Sequence, residues 1–372
     1  MTMTMRAAIY RSFGGPIRVE NVERPSNPAP DAVVIQVMAT GVCRSDWHGW
    51  KGHDGDIQEH GLPFCPGHEL SGVVVEAGSQ VTKFRPGDRV AVPFILSCGN
   101  CEYCHKGRAT ICSKQQQPGF TQWGSFAEYV ALPRADRNLQ SIPPTVSFVQ
   151  AAALGCRFTT AYRAVLQQGR FLKDGRKHEK SIAIFGCGGL GLSCVMIAVA
   201  AGARGPIIAV DVSSKALAMA QDLGATHVVQ ATKDSNSNQT VQQQVKSITD
   251  GQGADLSIDA AGFPSTCENA VYCTKPGDRM VQVGLPIGEF KPEIPMGAVA
   301  GKELELVGSH GFDAEDLPDL LQMVANGKLD PARLVQKEVT LEEGARAIED
   351  MDHGSPLGIT VVTKFQAQHC KL

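Results

Sequence analysis

The stretch SIAIFGCGGLGLSCVMIAVAAGARGPIIAVDV, Ser181 to Val212, decides the fold. SIAIF is a short, apolar, β-rich run. Gly186-Cys187-Gly188-Gly189-Leu190-Gly191 follows it, and the helical stretch LSCVMIAVAAGA leads to a second apolar run, IIAVDV. A GxGxxG pattern alone is weak, because any Gly-rich turn between strand and helix can carry it. Here the context is complete, with Asp211 closing the second run twenty residues beyond Gly191. In such a unit the first glycine permits the tight turn and the second lets a pyrophosphate approach the backbone. The third lets the helix pack on the strand. The helix N-terminus then offers free N–H groups and partial positive charge to phosphates. Asp211 is expected to accept hydrogen bonds from ribose hydroxyls and to repel a 2′-phosphate, which favours NAD over NADP. Lys215, one helical turn further on, is within reach of the same ribose, although an exposed lysine is more often merely solvated.

Working outward, HVVQ, LSIDAAG, MVQVG and LELVG alternate with the helical SKALAMAQDLGA, TVQQQVKSITDG and STCENAVYCTK. That alternation predicts a parallel sheet with crossover helices. Before residue 180 the pattern differs. AAIY, IRVENVE, VVIQVMATG, GVVVEAG and RVAVPF read as strands, divided by turn clusters such as Phe13-Gly14-Gly15-Pro16 and Arg85-Pro86-Gly87-Asp88. Residues 167–180 and 231–240 are polar and expected to be exposed. The tail holds two amphipathic helices, DLPDLLQMVANGK and LEEGARAIEDM, and a last strand, ITVVTKF. At 372 residues, two domains are expected, since single cores stop growing near about 250–300 residues.

Apolar content of 43% and charged content of 20% are those of a globular protein. A net charge of −3 leaves no surplus of cations for nucleic acid or anionic lipid. The apolar runs fall short of the roughly 20 residues that span a bilayer. MTMTMRAAIYRSF has no apolar core after a basic cluster, so a cytoplasmic location is expected. There, twelve cysteines read as metal ligands and small packing residues, not disulfides. Cys98, Cys101, Cys104 and Cys112 are spaced C-x2-C-x2-C-x7-C, and their thiolates can converge on one tetrahedral zinc. With every position filled by sulfur, such an ion staples a loop and does no chemistry. An iron–sulfur cluster fits the first three spacings but not the fourth, and no CP ending is present. A nucleic-acid-binding ribbon would need a basic stripe, which this segment lacks.

A second cluster has an open character. Cys43, in TGVCRSDWH, and His68, in PGHEL, each follow an extended segment beside glycine, and Cys156 lies in AAALGCRFTTAYRAV just ahead of the dinucleotide unit. Two cysteines and one histidine leave the fourth position of zinc open, as in catalytic sites; alcohol dehydrogenases use this ligand set. Such an ion polarises a bound alcohol or carbonyl oxygen as a Lewis acid.

GVCRSDWH, PGHE, the four-cysteine lobe, GC ahead of TTAY, GCGGLG and the late VGLP run through essentially the whole chain. On these elements the sequence resembles the zinc-dependent alcohol dehydrogenases of the medium-chain dehydrogenase/reductase superfamily. The resemblance implies an α/β protein. A GroES-like, β-rich catalytic domain would comprise residues 1–157 and 303–372, and a Rossmann domain with a doubly wound parallel sheet residues 158–302. It also implies that Cys43, His68 and Cys156 hold the catalytic zinc, with Glu69 behind the metal and able to replace its water transiently. Asp46 would accept the second imidazole N–H of His68. Ser45 would touch the substrate oxygen, and His48 would continue the proton path through the ribose hydroxyls. Arg44 would face the pyrophosphate, Thr160 would pack against the nicotinamide, and the backbone of Val283-Gly284-Leu285 would meet the carboxamide. Phe94, Trp50 and Trp123 are candidates for a pocket wall, though aromatic residues serve as readily in cores. Cys65, Cys187, Cys194, Cys267, Cys273 and Cys370 lack ligand spacing and are expected to pack.

Two departures from the family stand out. Gly358-Ile359-Thr360-Val361 offers no arginine where many relatives have one for the pyrophosphate. Only eleven residues separate Cys112 from Gly124, a shortness shared by tetrameric microbial members, so a homotetramer is expected in preference to a dimer. The expected activity is reversible, NAD-linked oxidation of a primary or secondary alcohol to aldehyde or ketone, as in an ordinary alcohol:NAD oxidoreductase. Two zinc ions per chain and a small-molecule substrate are expected, with no nucleic-acid or membrane partner. The alternatives are an NADPH-linked carbonyl or imine reductase and a catalytically silent structural relative. Asp211 and the complete ligand sets speak against them.

Overall fold

Alternating apolar and polar residues make half-buried strands in the first part of the chain, and continuous apolar runs make fully buried ones in the middle. The computed structural model describes residues 3–172, 179–231, 239–286, 291–354 and 356–366. In chain order the early strands are Thr4–Ile9 (β1), Arg18–Glu23 (β2), Val33–Val42 (β3), Glu69–Ala77 (β4), Arg89–Val92 (β5), Tyr129–Leu132 (β6) and Gln140–Ser141 (β7). Ile182–Phe185 (β8), Ile207–Asp211 (β9), His227–Gln230 (β10), Ala254–Asp259 (β11), Thr274–Gln282 (β12) and Glu305–Gly308 (β13) follow. Val335–Thr340 (β14) and Ile359–Lys364 (β15) close the chain. Two compact units result, Met1–Thr159 with Gly311–Leu372, and Thr160–His310.

In the discontinuous unit one sheet runs β14-β15-β3-β4-β5-β7, with β6 also paired to β3, and β1–β2 form a separate antiparallel pair. Strand β3 is the hub. Val33, Ile35 and Val37 join a core that includes Tyr10, Phe64, Leu70 and Phe126. The chain's last segment belongs to this core as well. Helix Leu341–Glu349 turns Leu341, Ala345 and Ile348 inward, at the spacing that puts them on one helical face. Thr340 and Glu343 close a capping box at its start. Burying Leu341 and Ile348 contributes roughly 1.5–3 kcal/mol each.

The continuous unit is a six-stranded parallel sheet in the order β10-β9-β8-β11-β12-β13. Renumbered within the unit this is 3-2-1-4-5-6, the dinucleotide-binding order, with its switch point between the first and fourth strands. Helix Gly189–Ala200 is buried from Gly191 to Ala198. Strand β13 is in register with β12, Arg279 opposite Glu305. A break at 302/303, drawn from sequence, would separate two hydrogen-bonded strands; the observed one follows His310. Of the polar segments, residues 173–178 and 232–238 lie outside the described residues, as does Cys370. Cys65, Cys187, Cys194, Cys267 and Cys273 are buried.

The tightest approach in this sheet is at Gly191, where an added Cβ would collide with the Gly186 carbonyl oxygen. That obstacle is backbone and cannot rotate away. Gly191→Ala is therefore expected to destabilise the protein by about 1–3 kcal/mol in urea titrations. Gly188→Ala, with nothing within 4 Å of its added Cβ, should leave stability close to that of the parent.

Candidate metal centre and dinucleotide site

The residues after β3 turn sharply into helix Arg44–Trp50, with Cys43 as its extended N-cap (φ −113°, ψ 153°). Asp46, in the first turn, accepts the Cys43 backbone N–H at Oδ2 (2.9 Å). Its Oδ1 accepts the backbone N–H of Gly67 (3.1 Å) and faces Nδ1 of His68 (3.0 Å). An Nδ1–H donated to Asp46 leaves the lone pair of Nε2 as the outward-facing donor atom. That Nε2 is buried and has no hydrogen-bond partner among the described residues. Gly67 has φ +110° and packs so closely that a Cβ would fall 2.6 Å from Ser125 Oγ, so glycine is required to bring His68 into line.

Cys156 arrives from a third element. Helix Phe148–Ala153, capped by Ser147 and Gln150, ends in the irregular turn Leu154–Phe158, where Gly155 is non-helical (φ −5°, ψ −118°). Gly155 is packed against Glu69: a Cβ there would lie 2.5 Å from Glu69 Cβ. Gly41, across the sheet, likewise leaves room for the Glu69 carboxylate. The donor atoms of Cys43, His68, Glu69 and Cys156 all lie within 4.8 Å of one another. Two sulfurs with an imidazole nitrogen form a donor set that suits zinc. The residues present therefore fit the ion.

The electrostatics agree. The hydrogen bond from Cys156 pulls the Cys43 thiol well below its ordinary range, and the same bond with burial holds Cys156 well above it. Burial alone would lower the His68 imidazole, but Asp46 and Cys43 outweigh it and raise it. Burial pushes the Glu69 carboxyl up to about 7, against the pull of Arg157. Arg157 was not among the candidates read from sequence. The available signal was a single charge within the apolar run AAALGCRF, since a buried arginine needs a partner. Phe120, its ring 5.0 Å from that of His68, was also missed; Phe94 lies at 6.1 Å, edge-on.

Other candidates have different settings. Ser45 and His48 are half-buried on the helix that Cys43 caps. His48 Nδ1 is 3.2 Å from Nδ1 of His53, and burial, with Arg44 and His53 adding to it, lowers His48 to about 4. The Arg44 guanidinium stacks 3.5 Å from the Trp47 ring and donates to the Met351 carbonyl (2.7 Å). Trp50 is a core residue whose indole N–H donates to the Gly15 carbonyl, because its helix face turns inward. Trp123 packs on the same core and donates to the Pro63 carbonyl (3.1 Å).

The second cluster, Cys98, Cys101, Cys104 and Cys112, is assembled by a local chain path. Cys101 Sγ lies 3.5 Å from that of Cys104 and 3.7 Å from that of Cys112. Four sulfurs at about 2.3 Å from one tetrahedral zinc stand about 3.8 Å apart, whereas a disulfide requires about 2.05 Å. The Asn100 N–H donates to Cys98 Sγ (3.4 Å), and those of Cys98 and Lys114 donate to Cys112 Sγ (3.3 Å each).

In the parallel sheet, Gly186 follows β8 with φ +94°, and Gly188 has open space where a Cβ would stand. Gly189 and Leu190 begin the helix. Asp211, at the end of β9, accepts the N–H of Cys187 (2.6 Å) and of Ser213 (2.8 Å), which holds its carboxylate beside the glycine turn. Lys215 is exposed on the next helix. Val283 is buried, Gly284 could not carry a Cβ beside Gly262, and Leu285 is exposed. Thr160 is buried, and its Oγ1 lacks a hydrogen-bond partner among the described residues. The open glycine turn and the fixed acid fit a dinucleotide.

Comparison with known proteins agrees with these two halves. The alcohol dehydrogenase GroES-like domain matches residues 29–144, and the zinc-binding dehydrogenase domain matches residues 189–326. An alcohol dehydrogenase of Geobacillus stearothermophilus is 34% identical over 326 residues, 87% of this chain and 90% of its own length. An NAD-dependent alcohol dehydrogenase of Sulfurisphaera tokodaii is 32% identical, covering 96% of this chain and 99% of its own. Among solved structures, a zinc-binding dehydrogenase of Sinorhizobium meliloti bound to NADP superposes with a TM-score of 0.83 at 28% identity, covering 97% and 99% of the two chains. The chain belongs to the zinc-type alcohol dehydrogenases of the medium-chain dehydrogenase/reductase superfamily, with a GroES-like and a Rossmann-type domain, and is an oxidoreductase.

Asp46 touches both Cys43 and His68, so its replacement should be felt by a zinc ion bound between them. Asp46→Asn is expected to weaken zinc retention at the Cys43 site by about 10- to 100-fold, leaving the four-cysteine ion in place. Zinc content after graded dialysis against a chelator measures this.

Proposed function

We propose that the protein catalyses the reversible, NAD-linked oxidation of a primary or secondary alcohol to an aldehyde or ketone. The observation that carries this reading is the convergence of Cys43, His68 and Cys156 with an unpartnered His68 Nε2 among them. When bound there, zinc supplies Lewis acidity toward the substrate oxygen, and NAD bound at the glycine turn accepts the hydride. The four-cysteine cluster is assigned a second, structural zinc, because its four sulfurs leave no open position.

The chain's own residues have these roles in the proposal. Asp46 fixes the tautomer and orientation of His68. Ser45 takes the proton of the substrate hydroxyl and passes it toward His48. With its affinity for protons lowered to about 4, His48 is neutral and able to accept at every pH above about 5. Gly186, Gly188, Gly189, Leu190 and Gly191 receive the pyrophosphate, and Asp211 the adenosine ribose. Arg44, Lys215, Thr160 and the backbone of Val283, Gly284 and Leu285 complete the cofactor contacts. The reaction balances as alcohol plus NAD+ giving carbonyl compound, NADH and one released proton. A homotetramer in the cytoplasm accompanies this reading, supported by the short Cys112–Gly124 segment and the many free thiols.

The NADP carried by the Sinorhizobium structure favours NADPH-linked carbonyl reduction as a second reading. Asp211 supports the first, because a 2′-phosphate beside a fixed carboxylate is a like-charge contact costing several kcal/mol. Absorbance at the reduced nicotinamide band, with aliphatic, aromatic and polyol alcohols, is expected to appear with NAD and not NADP. Asp211→Gly should narrow that preference by about 100-fold. Activity confined to NADP would replace the first reading with the second.

His48→Gln is expected to lower kcat for alcohol oxidation by about 100-fold at pH 6. The deficit should shrink toward pH 9, where hydroxide can take the proton. Equal turnover of parent and variant across that range would remove His48 from the proton path.

A further inference from the structure

The Glu69 carboxylate has an unusual setting. It is completely buried, and both of its oxygens lack a hydrogen-bond partner among the described residues. An ionised carboxylate so placed requires a compensating charge. The cation facing it is Arg157, 8% exposed, with Nη1 3.6 Å from Glu69 Oε2. Arg157 Nη2 donates to the carbonyl of Val42, the residue before Cys43, and Arg157 itself directly follows Cys156. The guanidinium is therefore fixed to the backbone that presents one thiol and follows the residue that presents the other. At 3.6 Å the pair is an ion pair without a hydrogen bond, and Nη1 also has no hydrogen-bond partner among the described residues. Gly41 and Gly155, lacking a Cβ, leave the space that the Glu69 side chain fills on two sides. It is within reach of the three other donor atoms of the cluster.

Charge decides what this arrangement does. A divalent ion is balanced by two thiolates. Asp46 has its own donors in the Cys43 and Gly67 N–H groups and His68. Glu69 adds one negative charge and Arg157 one positive, so the charge beside the ion stays balanced when both are present or both are replaced, and is upset when only one is. We propose that Arg157 is a positioning residue that holds Glu69 away from the metal and thereby keeps the fourth position open to substrate. The inference rests on the reading of Cys43, His68 and Cys156 as a zinc site. Without Arg157, the free carboxylate is drawn to the ion, closes that position and tightens metal retention. Without Glu69, an unpaired guanidinium beside the ion repels it and loosens retention. A purely structural ion pair would behave differently, since breaking it from either side would loosen the pocket in the same direction.

Arg157→Gln, Glu69→Gln and the double variant are compared with the parent as full-length, zinc-loaded protein. Zinc per chain is measured first, then the rate of zinc transfer to excess chromophoric chelator, with the four-cysteine ion as internal reference. Glu69→Gln is expected to lose the Cys43-site zinc about tenfold faster, Arg157→Gln about tenfold more slowly, and the double variant near the parental rate. After cobalt substitution, titration with imidazole is expected to shift the visible spectrum of the parent and the double variant but not that of Arg157→Gln. Faster loss in both single variants, or an unchanged rate and imidazole response in both, overturns the proposal. Should Arg157→Gln fail to fold, Arg157→Lys and Glu69→Gln decide it. A parent-like imidazole response in Arg157→Lys with faster loss in Glu69→Gln supports it, and slower or unchanged loss in Glu69→Gln refutes it. A parent holding two zinc ions with the wrong pattern defeats this inference alone, whereas a parent holding only the four-cysteine ion defeats the underlying zinc reading and this one with it.

Discussion

The carboxylate of Asp46 is the constraint on which the proposed metal site depends. It is 2% exposed, yet its two oxygens receive the Cys43 and Gly67 backbone N–H groups and the His68 ring. A buried anion is tolerable when donors converge on it in this way, and removing one would leave it uncompensated. One group thus sets the orientation of two ligands that are twenty-five residues apart in sequence. The sheet does the rest of the positioning. Gly41 on β3 is in register with Glu69 on β4, so Cys43, two residues beyond the first, comes close to His68, one residue before the second.

Glycine shapes the site as much as its polar residues do. Gly67 brings the histidine segment against Ser125, and Gly41 and Gly155 make space for Glu69. The helix is irregular at Gly155, and Cys156 follows directly, its sulfur within 4.8 Å of the Cys43, His68 and Glu69 donor atoms. The four-cysteine cluster is built differently. Its ligands lie within fifteen residues of one another, and backbone N–H groups from the same loop surround the sulfurs. One centre is a product of sheet register and long-range packing; the other is almost entirely local.

The same distinction explains what could be read in advance. That the middle of the chain forms a parallel sheet with a dinucleotide-type turn followed from glycine spacing, strand–helix alternation and the acid at the end of β9, all short-range signals; the strand order came only from the structure. Cysteine spacing likewise announced the closed cluster. Trp50 was ambiguous because an aromatic residue next to a polar motif has no period of its own; its place in the core depends on the Gly15 carbonyl, thirty-five residues away. The stacking of Arg44 on the Trp47 ring and its bond to the Met351 carbonyl could not be anticipated, because Met351 comes from the opposite end of the chain. Arg157 was overlooked because its partner, Glu69, is eighty-eight residues earlier.

Residue types and spacings along the chain were enough by themselves to mark the four-cysteine cluster, to place the glycine turn and to show that the middle of the chain forms a parallel sheet, because each rests on neighbours within a few tens of residues. Tertiary structure alone decided that Trp50 is core and that Glu69 and Arg157 face each other out of water. Those outcomes depend on strand register and on excluding solvent from distant segments at once, and no local pattern encodes either.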